Sequence, residues 1–270
     1  MVTVEELNIY PLKSGRGIAK SAVRLAATGF EWDRHWMITD TAGSFLTQRT
    51  HPLLACIQPD LSEAQLTLSA PGLPQLSLPL QPQGEPVTVQ VWKDRCDALD
   101  QGEDASAWAS TALAQAARVV RIAAIPHRRA NPEYAGPIPT PVAFPDGFPI
   151  LVCNRASLDD LNARMPQPVP MERFRPNIVL HGLPPFAEDR IASIQIGAVT
   201  LNLVKPCTRC VITSTDQRTG ERSTNPLPFL RKFRFDRTLL GVTFGENAVP
   251  AAGVGSTIER GARCLVTYDR

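Results

Sequence analysis

Apolar and polar positions alternate over short stretches for most of the chain, and that period of two predicts strands rather than helices. Positions 2–10 are rich in β formers and stop at Pro11. Positions 21–26 and 36–39 read as further strands, and a turn at 41–44 predicts a return strand over 45–49. Two short strands fall in 65–80, and a hairpin over 86–99 turns at Lys93-Asp94. The first convincing helix is predicted over 100–118. Its core is Ala-rich, Glu103 and Asp104 stand at its start, and Trp108, Leu113 and Ala116 offer a buried face. A strand follows at 119–125. Positions 126–149 then carry seven prolines without periodicity, which suits a long connection between two halves. Beyond it come a strand at 150–153, a helix at 157–165 with a capping-box-like Ser157…Asp160, and a strand at 178–180. A hairpin joins 191–196 to 199–205 around Gly197-Ala198, and the β-branched run 211–215 predicts one more strand. A short helix or turn at 226–233 and closing strands at 240–248 and 264–268 complete the chain. The pattern predicts a mainly β, β-rich α+β protein built as a barrel or sandwich, divided at 1–125 and 126–270.

Composition narrows the functional classes. No apolar run of the 270 residues approaches the ~20 that span a membrane. The first ten residues lack a basic and an apolar segment, so they read as strand and not signal peptide. Six cysteines without a signal peptide predict a cytoplasmic protein with reduced thiols. A net charge of +2 gives no bulk case for nucleic acid. There is no dinucleotide fingerprint, P-loop or nucleophile elbow.

Four stretches carry candidate chemistry. Cys207-Thr-Arg-Cys210 places two thiols at a strand entrance, with Arg209 beside the second, where a cation favours the thiolate. The pair reads as two buried structural thiols, as half a zinc site, as a redox Cys-x-x-Cys, or as one thiolate, Cys210, on a metal carried by a cofactor. The turn Leu12-Lys13-Ser14-Gly15-Arg16-Gly17 offers cations and a hydroxyl suited to phosphate, or is a plain solvated loop. Trp32-Asp33-Arg34-His35-Trp36 holds an arginine that either pairs with Asp33 or binds an anion. Arg173-Phe-Arg175-Pro-Asn177 gathers polar groups at a strand start, where solvated arginines are the plain alternative.

Six blocks in order resemble one family: Ile9-Tyr-Pro-Leu-Lys-Ser14, Trp32-Asp-Arg-His-Trp-Met37, Ala156-Ser-Leu-Asp-Asp-Leu-Asn162, Phe174-Arg-Pro-Asn-Ile-Val179, Phe186-Ala-Glu-Asp189 and Cys207-Thr-Arg-Cys-Val-Ile-Thr213. The chain resembles the MOSC-domain proteins with an N-terminal MOSC β-barrel domain, among them the mitochondrial amidoxime-reducing component and its bacterial counterparts. The resemblance implies a barrel-like N-terminal domain and a C-terminal MOSC β-barrel with short helices. It implies a molybdenum cofactor (Mo-molybdopterin) and, independent of pyridoxal phosphate, the reduction of N-hydroxylated compounds such as amidoximes, hydroxylamines and N-hydroxylated bases. By the same likeness Cys210 is the metal ligand and catalytic centre. Lys13, Ser14 and Arg34 hold phosphate and pterin. Ser157, Arg175 and Asn177 add cofactor contacts, and Thr208 and Arg209 flank the metal ligand. Cys207 matches a cysteine not assigned to the metal, and Gly15 stands where relatives often carry Cys. No plant-type iron–sulfur cysteine run is present, so electrons are expected from a separate protein of ferredoxin, flavin reductase or cytochrome type. No membrane anchor is expected. The alternative is a cofactor carrier or sulfur-transfer module that does not turn over.

Overall fold

The computed structural model describes residues 1–124 and 126–268. Seven strands close a barrel in the order Ile150–Asn154, Ile178–His181, Val2–Ile9, Arg263–Tyr268, Ile191–Ile196, Val199–Thr208 and Gly241–Ala252, which pairs back onto Ile150–Asn154. All pairings are antiparallel except Ile150–Asn154 with Ile178–His181. Closure removes the sheet's edges and encloses an apolar interior of Val, Ile and Leu, including Leu7, Val152, Ile194 and Leu201. The strand Val2–Ile9 belongs by sequence to the first half, yet it is a stave of the barrel built by the second half.

Ile18–Lys20 pairs with Val2–Ile9, and Ala22–Ala26 with Gly29–Phe30 and Thr257–Glu259 forms a three-stranded sheet packed on the barrel core. The remainder of the first half forms a four-stranded sheet, ordered Trp36–Thr39, Arg118–Ile122, Asp94–Asp100, Glu85–Val91, and another three-stranded sheet of Gln58–Leu61, Gln65–Ser69 and Leu76–Pro79. Both pack with the helix Glu103–Leu113 around Leu12, Trp36, Leu54, Leu68 and Trp108. The strand-rich reading therefore holds across the chain. Among the described residues no helix is long and apolar enough to cross a membrane.

Local expectations fail where side chains compete with the ladder. Residues 211–215 are not a strand. Val211–Ser214 is one turn of 3-10 helix, because the Thr213 hydroxyl donates to Cys210 O (3.0 Å) and the Ser214 hydroxyl to Val211 O (2.6 Å). Such local bonds offer β-branched backbone an alternative to the sheet. Residues 45–49 likewise make a single bridge to Thr39 and then turn, with the Thr47 hydroxyl accepting from Arg49 N (3.1 Å). The long helix is shorter than its Ala-rich pattern, because Ala114 adopts the left-handed conformation and ends it. The strand expected over 119–125 is Arg118–Ile122, and residue 125 lies outside the described residues. The proline-rich connection is pinned rather than loose. Arg128 pairs with Asp94 (2.8 Å) and donates to Pro145 O and Asp146 O (2.7 Å for the second).

Candidate functional site

The strand Val199–Thr208 carries Cys207 and Thr208 out of the barrel wall. The chain then turns so that Cys210 begins the 3-10 segment, with Arg209 N bonded to Val242 O (2.8 Å). This turn faces the loop 12–17, the residues 33–34 and the segment 174–177 across a cavity of about 500 Å³. Pockets of this size hold cofactor-sized ligands. Lys13, Ser14, Arg34, Arg175, Asn177, Thr208, Arg209 and Cys210 all line it. Ser157 does not. Its hydroxyl donates to the buried Glu188 (2.8 Å) and accepts from Phe186 N (2.8 Å), locking a helix to the barrel away from the cavity.

Each side chain is held from behind. Lys13 is buried and donates to Phe144 O (2.7 Å) and Asp146 (2.6 Å). Arg34 pairs with Asp33 (2.5 Å) and reaches Asn177 Oδ1 (3.0 Å), so the two readings of Arg34 are not exclusive: it is paired and it also lines the cavity. Arg34 and Arg175 both stack on the Tyr10 ring, at 4.4 and 4.3 Å from its centre. Asn177 uses its whole amide within the protein: Oδ1 also accepts from Leu151 N (3.1 Å), and Nδ2 donates to Asn8 O (3.2 Å) and Asp33 (3.0 Å). A buried reciprocal amide pair, Gln48 with Gln217, holds Ser14 O (2.7 Å) and the Arg175 guanidinium (3.2 Å).

The sequence reading put Arg209 beside Cys210, but its guanidinium donates to the Cys207 sulfur (2.9 Å) and to Phe174 O (2.7 Å). Arg49 interacts with the Cys210 sulfur, and Arg209 lies within electrostatic reach of it. Arg49 also pairs with Asp146 (2.8 Å), and the ring of Trp92 lies under it at 4.7 Å. Arg49, Trp92 and Asp146 are site residues that no motif flagged, and Lys205, at the head of the cysteine stretch, lines the cavity as well. Pro145-Asp-Gly147 is a turn signature, and Trp92 is an aromatic residue at a hairpin tip; those were the available signals.

The electrostatics are lopsided. Six cations line the cavity (Lys13, Arg34, Arg49, Arg175, Lys205, Arg209) against one carboxylate, Asp146. Burial, opposed by Asp146, pulls the Lys13 ammonium below its ordinary value. Burial, with Arg34 nearby, brings Arg175 down to about 10. Asp146 is half-exposed, and against its own desolvation Lys13 and Arg49 hold its carboxyl far below the usual range. The Arg209 Nε is buried without a partner among the described residues. Such a set is under-compensated until an anion joins it. Backbone strain gathers here too: Ser14, Arg34, Trp92 and Arg175, none of them glycine, have φ of 67, 53, 57 and 56°. Each such residue costs about 1–3 kcal/mol, and they collect where a ligand must be met.

All six cysteines are unpaired. Cys96, Cys153 and Cys264 are buried, and burial pushes the Cys153 thiol well up and that of Cys264 to about 12, so these are inert core thiols. Cys207 and Cys210 are half-buried on the cavity wall. Among the described residues no three His, Cys, Asp or Glu gather as metal ligands, so a closed zinc site finds no ligand set. The residues fit a phosphorylated anionic cofactor that brings its own metal and asks for one thiolate. Six cations, a thiol and an orphaned guanidinium N–H are the donors it needs.

Comparison with known proteins agrees with this architecture. Residues 1–116 match the MOSC N-terminal beta barrel domain and residues 139–261 the MOSC domain. The mitochondrial amidoxime-reducing component 1 of Mus musculus is 36% identical over 86% of this chain and 71% of its own length. That of Homo sapiens is 35% identical over 86% and 72%. The molybdenum cofactor sulfurase of Danio rerio is 28% identical over 95% of this chain and 34% of its own length.

Proposed function

We propose, because the chain belongs to the family that joins a MOSC N-terminal beta barrel domain to a MOSC domain, that it is a molybdenum-cofactor-dependent reductase of N-hydroxylated compounds. The observation that carries the reading is the convergence of six cations and the Cys207 and Cys210 thiols on a single cavity lined by one carboxylate. Relatives named for amidoxime reduction point the same way.

In this reading Lys13, Arg175, Arg209 and the Ser14 hydroxyl receive the phosphorylated tail, and Cys210 supplies the protein's thiolate to the metal. Arg34 and Asn177 act through position: their mutual bond and those to Asp33, Asn8 and Leu151 fix the cavity floor. Arg49 interacts with the Cys210 sulfur and adds positive charge to this end of the cavity. When bound, the cofactor supplies the two-electron chemistry that cleaves an N–O bond. The net change converts an amidoxime, two protons and two electrons into an amidine and water. The electrons come from a separate donor protein of ferredoxin, flavin reductase or cytochrome type.

The test is a dye-linked assay on cofactor-loaded protein. With reduced viologen it turns over amidoximes or hydroxylamines, and with NADH alone it does not. Cys210→Ala abolishes turnover, while Cys207→Ala is mild. No turnover under conditions that reduce the metal, with ready transfer of cofactor to an acceptor apoenzyme, would favour the carrier reading.

A further inference from the structure

A groove of about 960 Å³ runs beside the cavity and opens into it, because Trp92, Asp146, Phe148 and Lys205 line both. Its wall is aromatic. Trp92 sits at the tip of the hairpin joining Glu85–Val91 to Asp94–Asp100, with its backbone held left-handed by a bond from the Gln90 amide to its carbonyl (2.6 Å). Phe45 packs edge-on against the indole (5.1 Å) and the Arg49 guanidinium covers it (4.7 Å), yet the side chain stays 46% exposed. A large aromatic held rigid, strained and open beside a reactive cavity gains little stability from its place, and a ligand that covers it supplies the missing contact. Through Arg49 the indole is one side chain removed from the Cys210 sulfur.

The groove's charges decide what it accepts. Asp94 is committed to Arg128 (2.8 Å), and Asp146 to Lys13 and Arg49. Lys93 and Arg129 are exposed along it and Lys205 lies over the Tyr134 ring (4.6 Å). Among the described residues no lining carboxylate is without a cationic partner. Resting on the reductase reading above, we infer that this groove is the subsite for the substrate's body, that Trp92 determines specificity, and that it selects flat, uncharged aryl N-hydroxylated compounds over aliphatic or cationic ones. The same charges favour turnover. An amidoxime is a weak base and enters neutral; the amidine it becomes is a strong base, takes up a proton and finds no carboxylate to hold it.

The experiment compares benzamidoxime, acetamidoxime and a trimethylammonium-substituted benzamidoxime with cofactor-loaded protein and reduced viologen. Wild type prefers benzamidoxime by kcat/KM. Trp92→Ala raises its KM about three- to tenfold, the worth of one aromatic stack, and lowers the aryl-to-alkyl ratio of kcat/KM; Trp92→Phe restores most of it. Lys93→Glu shifts preference toward the cationic compound. Benzamide, which has no N–O bond, is titrated calorimetrically as a second readout, and it binds more weakly to Trp92→Ala. An unchanged aryl-to-alkyl ratio together with unchanged benzamide binding in Trp92→Ala would overturn the inference. If no N-hydroxylated compound turns over but benzamide binding still depends on Trp92, the subsite stands and the reductase reading falls.

Discussion

Replacing Asn177 separates two roles that its place on the cavity wall leaves entangled. Its amide is 1% exposed and makes four bonds, two with backbone groups (Leu151 N, Asn8 O) and two with the Asp33–Arg34 ion pair. Neutral bonds contribute about 1 kcal/mol each and bonds to charged groups about 1.5 or more, so Asn177→Ala forfeits up to about 5 kcal/mol. For a chain of this size that lowers Tm by about 10–20 °C. Asn177→Asp is nearly isosteric but replaces the Nδ2 donor, 3.0 Å from the Asp33 carboxylate, with an acceptor. Two carboxylates then face each other in a buried site, so Asp should be at least as damaging as Ala at pH 7, with a deficit that shrinks as pH falls. Thermal unfolding of the cofactor-free protein is the assay, since it removes any contribution from ligand contacts. If both variants melt within about 3 °C of wild type and lose only cofactor, Asn177 is a ligand contact and the positioning argument is wrong.

Two further perturbations test the surroundings. His35 has no hydrogen-bond partner on either ring nitrogen among the described residues, and burial, then Arg121, lowers its pKa from 6.5 to about 4. The unfolded chain binds the extra proton first, so stability falls as pH drops from 6.5 through 4. This one group contributes up to about 3 kcal/mol of that loss, and urea unfolding of His35→Phe should show a correspondingly flatter acid limb. Gly245 has φ +75° beside the seam that closes the barrel, and an added Cβ would lie 2.6 Å from the Cys153 sulfur and 2.7 Å from Val152 O. Gly245→Ala should therefore cost about 3 kcal/mol or more in denaturant unfolding, by strain plus clash.

Much of this was legible because it is local. The strands came from alternation, and Lys13-Ser14 and Arg175-Pro-Asn177 stood out as donors packed at turns and strand starts. Long-range facts left no trace in spacing. Nothing in residues 2–9 says that they complete a barrel whose other staves begin at residue 150. Arg49 is one arginine in a polar turn, and only tertiary structure brings it to the Cys210 sulfur, while Arg209, adjacent in sequence, turns to Cys207. Ser157 carried a motif but folds onto Glu188 instead of the cavity. The 211–215 run misled because β-branched hydroxyl residues suit a strand by propensity and close a turn when their oxygens bond backward.

The central claim is that this cavity holds a molybdenum cofactor through Cys210, and metal and pterin analysis of protein purified from a host that makes the cofactor tests it most directly. Stoichiometric molybdenum and pterin should copurify with wild type and Cys207→Ala, whereas folded Cys210→Ala, lacking one anchor of the cofactor, should retain less of both in unchanged proportion. Wild-type protein free of both pterin and molybdenum, or Cys210→Ala with undiminished molybdenum, would contradict the account.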